Sequence, residues 1–329
     1  MKKEIKIFCA KDWIDYELLD TGEGEKLERF SKYILVRPYE EAVWPKTLPT
    51  KEWEQIDGKF WSSRAGAKPG WQKMSKTVFD IKSKWEMEYK GIKFFASPTP
   101  FRHLGFFPEQ ASHWDFIEEK ISNANLAKNF LETAPSESKG QGTHTFLKNS
   151  LPNSHFPKIK FLNLFGYTGV ASLFALRAGA EVTHLDASKQ ILNWAKENQK
   201  LSDLEKLPMR VVEDDALKFL EREIKRGNKY DAIIMDPPKF GRGPKGEIWK
   251  IEEMLPKLLE LSRRVLNPDA LFVILTSYAT DSSSLTLDYA LADMMKGFSG
   301  TMESGELCIL EKSNGRIISL ANTVIWSSK

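Results

Sequence analysis

Four short segments in the second half of the chain carry residue types suited to holding a ligand and moving a proton. The first is NLFGYTG, residues 163–169. Gly166 and Gly169 let the backbone turn tightly beside Phe165 and approach a ligand closely, and Thr168 offers a hydroxyl. A helical pattern follows directly, and free N–H groups at a helix start suit a carboxylate. The plainer reading is a tight turn alone. The second is Asp186, about twenty residues after Gly166, followed by Ala187 and Ser188. A carboxylate there accepts two hydrogen bonds from a ribose diol while its neighbours line the nucleoside, or else it caps the next helix. The third is EDDA, residues 213–216, where Asp215 suits an exocyclic amino group of adenine and the Ala216 N–H a ring nitrogen. Its alternative is an acidic helix start. The fourth is DPPKF, residues 236–240. Pro237 and Pro238 fix φ and remove two donors, which makes a stiff ledge beside Asp236. Such a ledge can hold a substrate N–H or O–H and take up its proton. The following GRGPKGE, residues 241–247, reads as a mobile substrate loop.

Positioning these segments requires a parallel sheet. From residue 158, apolar strand-like runs alternate with helical ones: IKFLNLF, EVTHLDA, PMRVVEDD, YDAIIMDPP and ALFVILTSY, each but the last followed by a helical stretch that leads into the next. GELCILEK and GRIISLANTVIW close the chain as an antiparallel hairpin. Alternating strands and helices with continuously apolar strands predict an α/β, doubly wound, mostly parallel Rossmann-like sheet over residues 158–329. All four segments then fall at the carboxyl edge of that sheet, where open α/β folds bind ligands. A carboxylate, a ribose, an adenine and a group that gives up a proton together describe S-adenosyl-L-methionine beside a methyl acceptor. The segment at 163–169 is not GxGxxG, which disfavours a nicotinamide dinucleotide.

Upstream the composition differs. Six of the ten tryptophans fall at positions 13, 44, 53, 61, 71 and 85, among strand-like runs at 33–38, 77–89 and 92–98. These predict a small β-rich N-terminal domain over residues 1–110. Residues 111–157 read as a helix with Trp114, Ile117, Ile121 and Leu126 on one face, capped by Ser112, then a polar linker. Residues 51–93 hold ten Lys/Arg against six Asp/Glu, interleaved with Trp53, Trp61, Trp71 and Trp85. That mixture either stacks unpaired bases or is a tryptophan core under a basic surface. The net charge of +3 permits a nucleic-acid partner without requiring one. Cys9 and Cys308 match no metal spacing, and no apolar run approaches a membrane span, so a cytoplasmic protein without membrane partners is expected.

The segments NLFGYTGVASL, VTHLDASKQILNWAKENQ, EDDALKFL and MDPPKFGRG resemble a class I methyltransferase family, the group related to bacterial 23S rRNA methyltransferases of the cytosine-C5 type. The likeness spans about residues 100–329. It takes in FRHLGFFPEQ, residues 101–110, which by resemblance helps cover the cofactor and brings in Phe107 and Gln110. The RNA-binding PUA domain common in that group is not recognisable here. Cytosine-C5 members carry a cysteine after the fifth strand, where this chain reads LTSYAT, residues 275–280. Carbon 5 needs that thiolate to become nucleophilic. The expected activity is therefore methylation of RNA, ribosomal RNA first, at a nitrogen or oxygen. A methyltransferase of protein side chains or small molecules, and a non-catalytic cofactor-binding module, remain the alternatives.

Overall fold

The computed structural model describes residues 3–62, 68–74, 78–133, 158–278 and 283–329; most of the linker expected before residue 158 lies outside them. The N-terminal part comprises β1 (Ile5–Cys9), β2 (Tyr16–Gly22), β3 (Glu25–Phe30), β4 (Tyr33–Pro38), a short helix α1 (Thr50–Glu54), β5 (Gly58–Trp61), β6 (Gly70–Lys73), β7 (Trp85–Tyr89) and β8 (Ile92–Ala96). A 3₁₀ turn, Pro108–Gln110, leads into the long helix α2 (Ala111–Thr133). Strand and helix then alternate as expected: β9 (Lys160–Leu164), α3 (Val170–Arg177), β10 (Glu181–Asp186), α4 (Lys189–Leu201), β11 (Met209–Glu213), α5 (Ala216–Arg226) and β12 (Ala232–Met235). After β13 (Phe240–Arg242) and β14 (Ile248–Lys250) come α6 (Ile251–Val265), β15 (Phe272–Ser277), α7 (Ser284–Met294) and the long strands β16 (Gly300–Leu310) and β17 (Ile317–Ser328).

The large sheet runs β1-β16-β17-β15-β12-β9-β10-β11. Its centre is parallel, and β17 enters it antiparallel between β15 and β16, so the closing hairpin forms as the sequence implies. The chain winds outward from β9 to β11, then returns to β12 on the other side of β9. The crevice for a ligand in such a sheet opens at that reversal. The central strands are apolar throughout because both faces are buried. Successive residues go to opposite cores: Phe161, Ile234, Ile274 and Ile325 to one, and Leu162, Ile233, Val273 and Val324 to the other.

The N-terminal part packs into the first of these cores rather than beside it. Tyr16, Phe30, Phe94 and Phe106 belong to the same cluster as Phe161 and Phe174. Trp114 of α2 stacks on Phe174 of α3, with ring centroids 5.7 Å apart. One strand assignment changes as a result. β1, expected within the N-terminal β domain, pairs parallel with β16 at the edge of the large sheet. The β-rich unit proper is the five-stranded sheet β2-β3-β4-β5-β6 with the hairpin β7-β8. Helix α2 begins at Ala111, one residue before the expected cap, and the Ser112 hydroxyl donates back to the Glu109 carbonyl at 3.3 Å. Leu126, expected on its apolar face, is 65% exposed, because the buried stripe turns from Ile121 to Ala124.

The tryptophan-rich stretch is largely a core. Trp53 and Trp85 are buried, and Trp71 donates its indole N–H to the Phe101 carbonyl at 3.0 Å. Only Trp61 of the four is exposed, with Lys59 over its ring. An open face for stacking several bases is absent among the described residues.

Candidate active site

All four segments meet at one cleft of about 940 Å³. Phe165, Asp186, Ala187, Ser188, Asp215, Ala216, Asp236, Pro237 and Pro238 line it, and so does Phe107 from the stretch before α2. Gly166, Thr168, Gly169 and Gln110 do not line it.

The loop after β9 is held from beneath by a buried histidine. Phe165 and Tyr167 both take positive φ, 60° and 51°, a conformation disfavoured for residues with a Cβ. His184 of β10 lies under the loop. Burial pushes its imidazole down to about 4, so it is neutral. Its Nε2 donates to the Tyr167 carbonyl at 3.1 Å, since a carbonyl only accepts. Nδ1 therefore accepts from the Ser172 hydroxyl at 3.0 Å, and that oxygen accepts from Asn163. A Cβ on Gly166 would sit 2.3 Å from the His184 ring, and one on Gly169 would sit 3.0 Å from Ala195. Neither position has room for a side chain on that face. Thr168 is likewise spoken for: its hydroxyl donates to the Gly105 carbonyl and its carbonyl accepts from Asn198 at 2.9 Å. The hydroxyl proton is thus committed within the protein, and the residue is buried.

Asp186 ends β10 and braces two segments. One carboxylate oxygen accepts the Tyr167 N–H at 3.1 Å and the other the Ser188 N–H at 3.0 Å. Burial pushes its acidity weaker, and these N–H groups oppose the shift. The Ala187 N–H also bears on this carboxylate, which still keeps acceptor capacity toward the cleft. Ser188 caps α4 through the Ile191 N–H. Asp215 is the cap of α5, accepting the Lys218 N–H at 3.0 Å, so the structural alternative holds for one of its oxygens. Asp215 also lines the cleft.

The DPP ledge differs in detail from its expected form. The Pro238 carbonyl accepts the Trp249 indole N–H at 2.6 Å, which leaves the ledge to Asp236 and Pro237. Trp249 in turn packs on Phe165, centroids 4.9 Å apart. The GRGPKGE stretch is no open loop: it closes the hairpin β13-β14, with the Gly243 N–H on the Glu247 carbonyl at 2.8 Å. Asp236 is pushed up to about 8, first by burial and then by the neighbouring Glu109. Glu109 is buried and itself pushed toward its neutral acid.

A directed hydrogen-bond chain aims at Asp236. His113 is buried and neutral, its imidazole pushed by burial down to about 3. Gln110 Nε2 lies 3.0 Å from Asp236 Oδ2 and 3.2 Å from the Tyr278 hydroxyl, which makes Gln110 Oε1 the acceptor of His113 Nδ1–H at 2.8 Å. His113 Nε2 then accepts from the Thr323 hydroxyl at 3.0 Å. Gln110 is thus a positioning residue for Asp236 rather than a cover for a ligand. Phe107 does form a wall, its ring 5.0 Å from Tyr278 and 5.5 Å from Tyr167. Sequence reasoning missed Tyr278, Glu109 and His113. For Tyr278 the available signal is its place directly after the fifth strand of the parallel core. Cys308 is buried in the closing hairpin and its thiol is pushed up to about 12; neither cysteine lines the cleft.

Residues 144–295 match the family described as Conserved hypothetical protein 95. The chain is 35% identical over 147 residues to a ribosomal RNA large subunit methyltransferase K/L of Desulfotalea psychrophila, covering 44% of this chain and 19% of that protein. It is 31% identical over 142 residues to a ribosomal RNA large subunit methyltransferase K of Neisseria meningitidis serogroup B, covering 42% and 40%. The chain therefore spans about a fifth to two fifths of the length of these curated relatives. Among solved structures, SMU.776 in complex with SAH shares the fold at 14% identity, TM-score 0.67, over 96% of this chain and 76% of that one. The SAM-dependent methyltransferase of Agrobacterium tumefaciens is 36% identical with a TM-score of 0.84, over 100% of this chain and 97% of that one. Similarity at that identity over the full length of both chains means that this protein belongs to the SAM-dependent methyltransferases, with S-adenosyl-L-methionine as its cofactor.

Proposed function

We propose that this methyltransferase modifies a nitrogen or oxygen of RNA, with ribosomal RNA as substrate and without a covalent cysteine intermediate. The observation that carries the reading is a carboxyl group, Asp236, set on a proline-stiffened ledge inside a cleft that no thiol lines. RNA as the acceptor class is supported by the large-subunit rRNA methyltransferases to which residues of the catalytic half are similar.

The residues present fit the cofactor. Asp186 retains acceptor capacity for the ribose, Ala187 and Ser188 adjoin it, Asp215 and Ala216 serve the adenine, and Phe165 walls that side. When bound, S-adenosyl-L-methionine supplies an electrophilic methyl group beside Asp236. The Asp236 carboxylate and the Pro237 carbonyl hold the acceptor N–H or O–H so that a lone pair faces the methyl, and Asp236 takes up the proton. At neutral pH Asp236 starts mostly protonated. A cation bound in the same cleft favours its ionised form, as does the Gln110 N–H that it accepts. Phe107 and Tyr278 keep the reacting position shielded from water.

Transfer of labelled methyl to total RNA from a strain lacking the protein, followed by mass-spectrometric mapping of modified nucleosides, tests the reading. An N- or O-methylated nucleoside that appears only with the protein is expected. Label confined to protein or small molecules, or a 5-methylpyrimidine as the product, would overturn it.

A further inference from the structure

The cleft has a second wall that the methyl-transfer chemistry leaves unused. Lys26 of β3 and Arg37 of β4 are cross-strand partners, so their side chains share the face of the β-rich sheet turned toward the large sheet. Both line the cleft, although they are only 11% and 5% exposed as side chains. Glu28, on the same face, is fully buried. Arg37 satisfies it with two hydrogen bonds of 2.6 Å, and the Tyr16 hydroxyl adds a third at 2.9 Å. The Lys26 ammonium comes no closer to Glu28 than 3.4 Å. It is the second cation on a carboxylate already matched by the first. Burial and the adjoining Arg37 accordingly push the Lys26 ammonium toward losing its proton.

The positive character extends beyond this pair. Arg102, paired with Glu40 at 3.0 Å, lines the same region, and the neighbouring His103 registers the local positive field: burial and then Arg37, Arg102 and Lys26 push its imidazole down to about 3, so it is neutral. The cleft acids Glu41 and Glu306 bear instead on Tyr39. Glu109, the remaining acid near Lys26, is driven toward neutrality by burial. A buried excess cation facing a cavity is costly unless an anion completes it.

We propose that Lys26, backed by the Arg37–Glu28 pair, is a subsite for a phosphate of the nucleotide whose base rests on the Asp236 ledge. The proposal rests on the RNA reading for the identity of the anion, but not for its charge. A phosphate there fixes the position of an unstacked nucleotide without reading its base, which Asp236, Pro237 and Tyr278 address. The N-terminal β-rich unit then completes the acceptor site, and the two parts share a core because they share a substrate.

The experiment titrates nucleoside 5′-monophosphates, the matching nucleosides and inorganic phosphate into the SAH-saturated full chain, wild type and Lys26→Met. Arg37 keeps Glu28 paired in that variant, so the fold should persist, and unchanged SAH affinity verifies it. Lys26→Arg serves as the rescue. Expected is a monophosphate preference over nucleoside of about tenfold or more, the effect of one charge-assisted contact. It should vanish in Lys26→Met and return in Lys26→Arg. Equal binding of monophosphates and nucleosides by the wild type, or a preference that survives Lys26→Met, would overturn the subsite. Inorganic phosphate binding that depends on Lys26, with no gain from any nucleoside attached to it, would keep the anion site and sink the RNA reading instead.

Discussion

The two sides of the cleft are built by different means. On the cofactor side, polar groups are secured by near neighbours: Asp186 by the Ser188 N–H, Asp215 by the Lys218 N–H, and the 165–169 loop by the strand paired with β9. On the acceptor side, the side chains come from far apart. Gln110 meets Asp236 across 126 positions and Tyr278 across 168, and His113 meets Thr323 across 210. The cofactor side is mostly a local product of each strand-to-helix turn, with a long-range tie, the Thr168 hydroxyl on the Gly105 carbonyl. The acceptor side exists only once the N-terminal part has docked on the sheet. Cofactor affinity and acceptor chemistry should therefore be separable by mutation.

The largest break in that comparison is expected from Asp236→Asn. Turnover should fall about 10²–10⁴-fold, the range for loss of a general base, with cofactor affinity nearly unchanged. The same substitution should stabilise the fold at alkaline pH. Asp236 holds its proton up to about 8 in the folded chain but only to the ordinary carboxylate range when unfolded. The native state then binds more protons between those values, and wild-type stability declines as pH rises through that window. Denaturant melts at pH 5 and pH 9 should show Asp236→Asn gaining more on wild type at the higher pH, because most of that window lies between the two.

Asp186→Ala probes the other side. Calorimetry should show cofactor binding weaker by about 1–3 kcal/mol, the value of charge-assisted hydrogen bonds, while kcat at saturating cofactor stays close to wild type. Gly166→Ala should act there too. Its Cβ would collide with the His184 ring, and overpacking costs about 1–3 kcal/mol of stability, visible as a lowered thermal midpoint.

Smaller and more specific is Gln110→Leu. Gln110 favours the ionised form of Asp236 by donating to it. Its loss should move the rising limb of the kcat/KM–pH profile, expected near 8 in wild type, upward by about one unit, equivalent to 1.4 kcal/mol. An unshifted limb would mean that the His113–Gln110 chain is structural only. Cys308→Ser should change activity least; complete loss of transfer with the fold retained would restore a covalent mechanism.

The same contrast explains what the sequence could disclose. The doubly wound sheet was legible because β9, β10, β12 and β15 are apolar throughout and are separated by helical spacing. Asp186, Asp215 and the DPP ledge were legible because each is fixed by its own strand end. Nothing local in the sequence reveals Gly105, His184 or Ala195 packed against Thr168, Gly166 and Gly169. Gln110 entered only by family resemblance, and its partner Asp236 was hidden by distance along the chain. Lys26 and Arg37 look like solvent-facing charges of an alternating strand. Only the docked β-rich sheet turns that face inward.

The most direct test compares methyl transfer and cofactor affinity in Asp236→Asn on RNA from cells lacking the protein. The account predicts wild-type affinity for S-adenosyl-L-methionine together with a loss of transfer of at least about a hundredfold. A variant that transfers methyl groups at the wild-type rate, or one that fails because it no longer binds the cofactor, would contradict it.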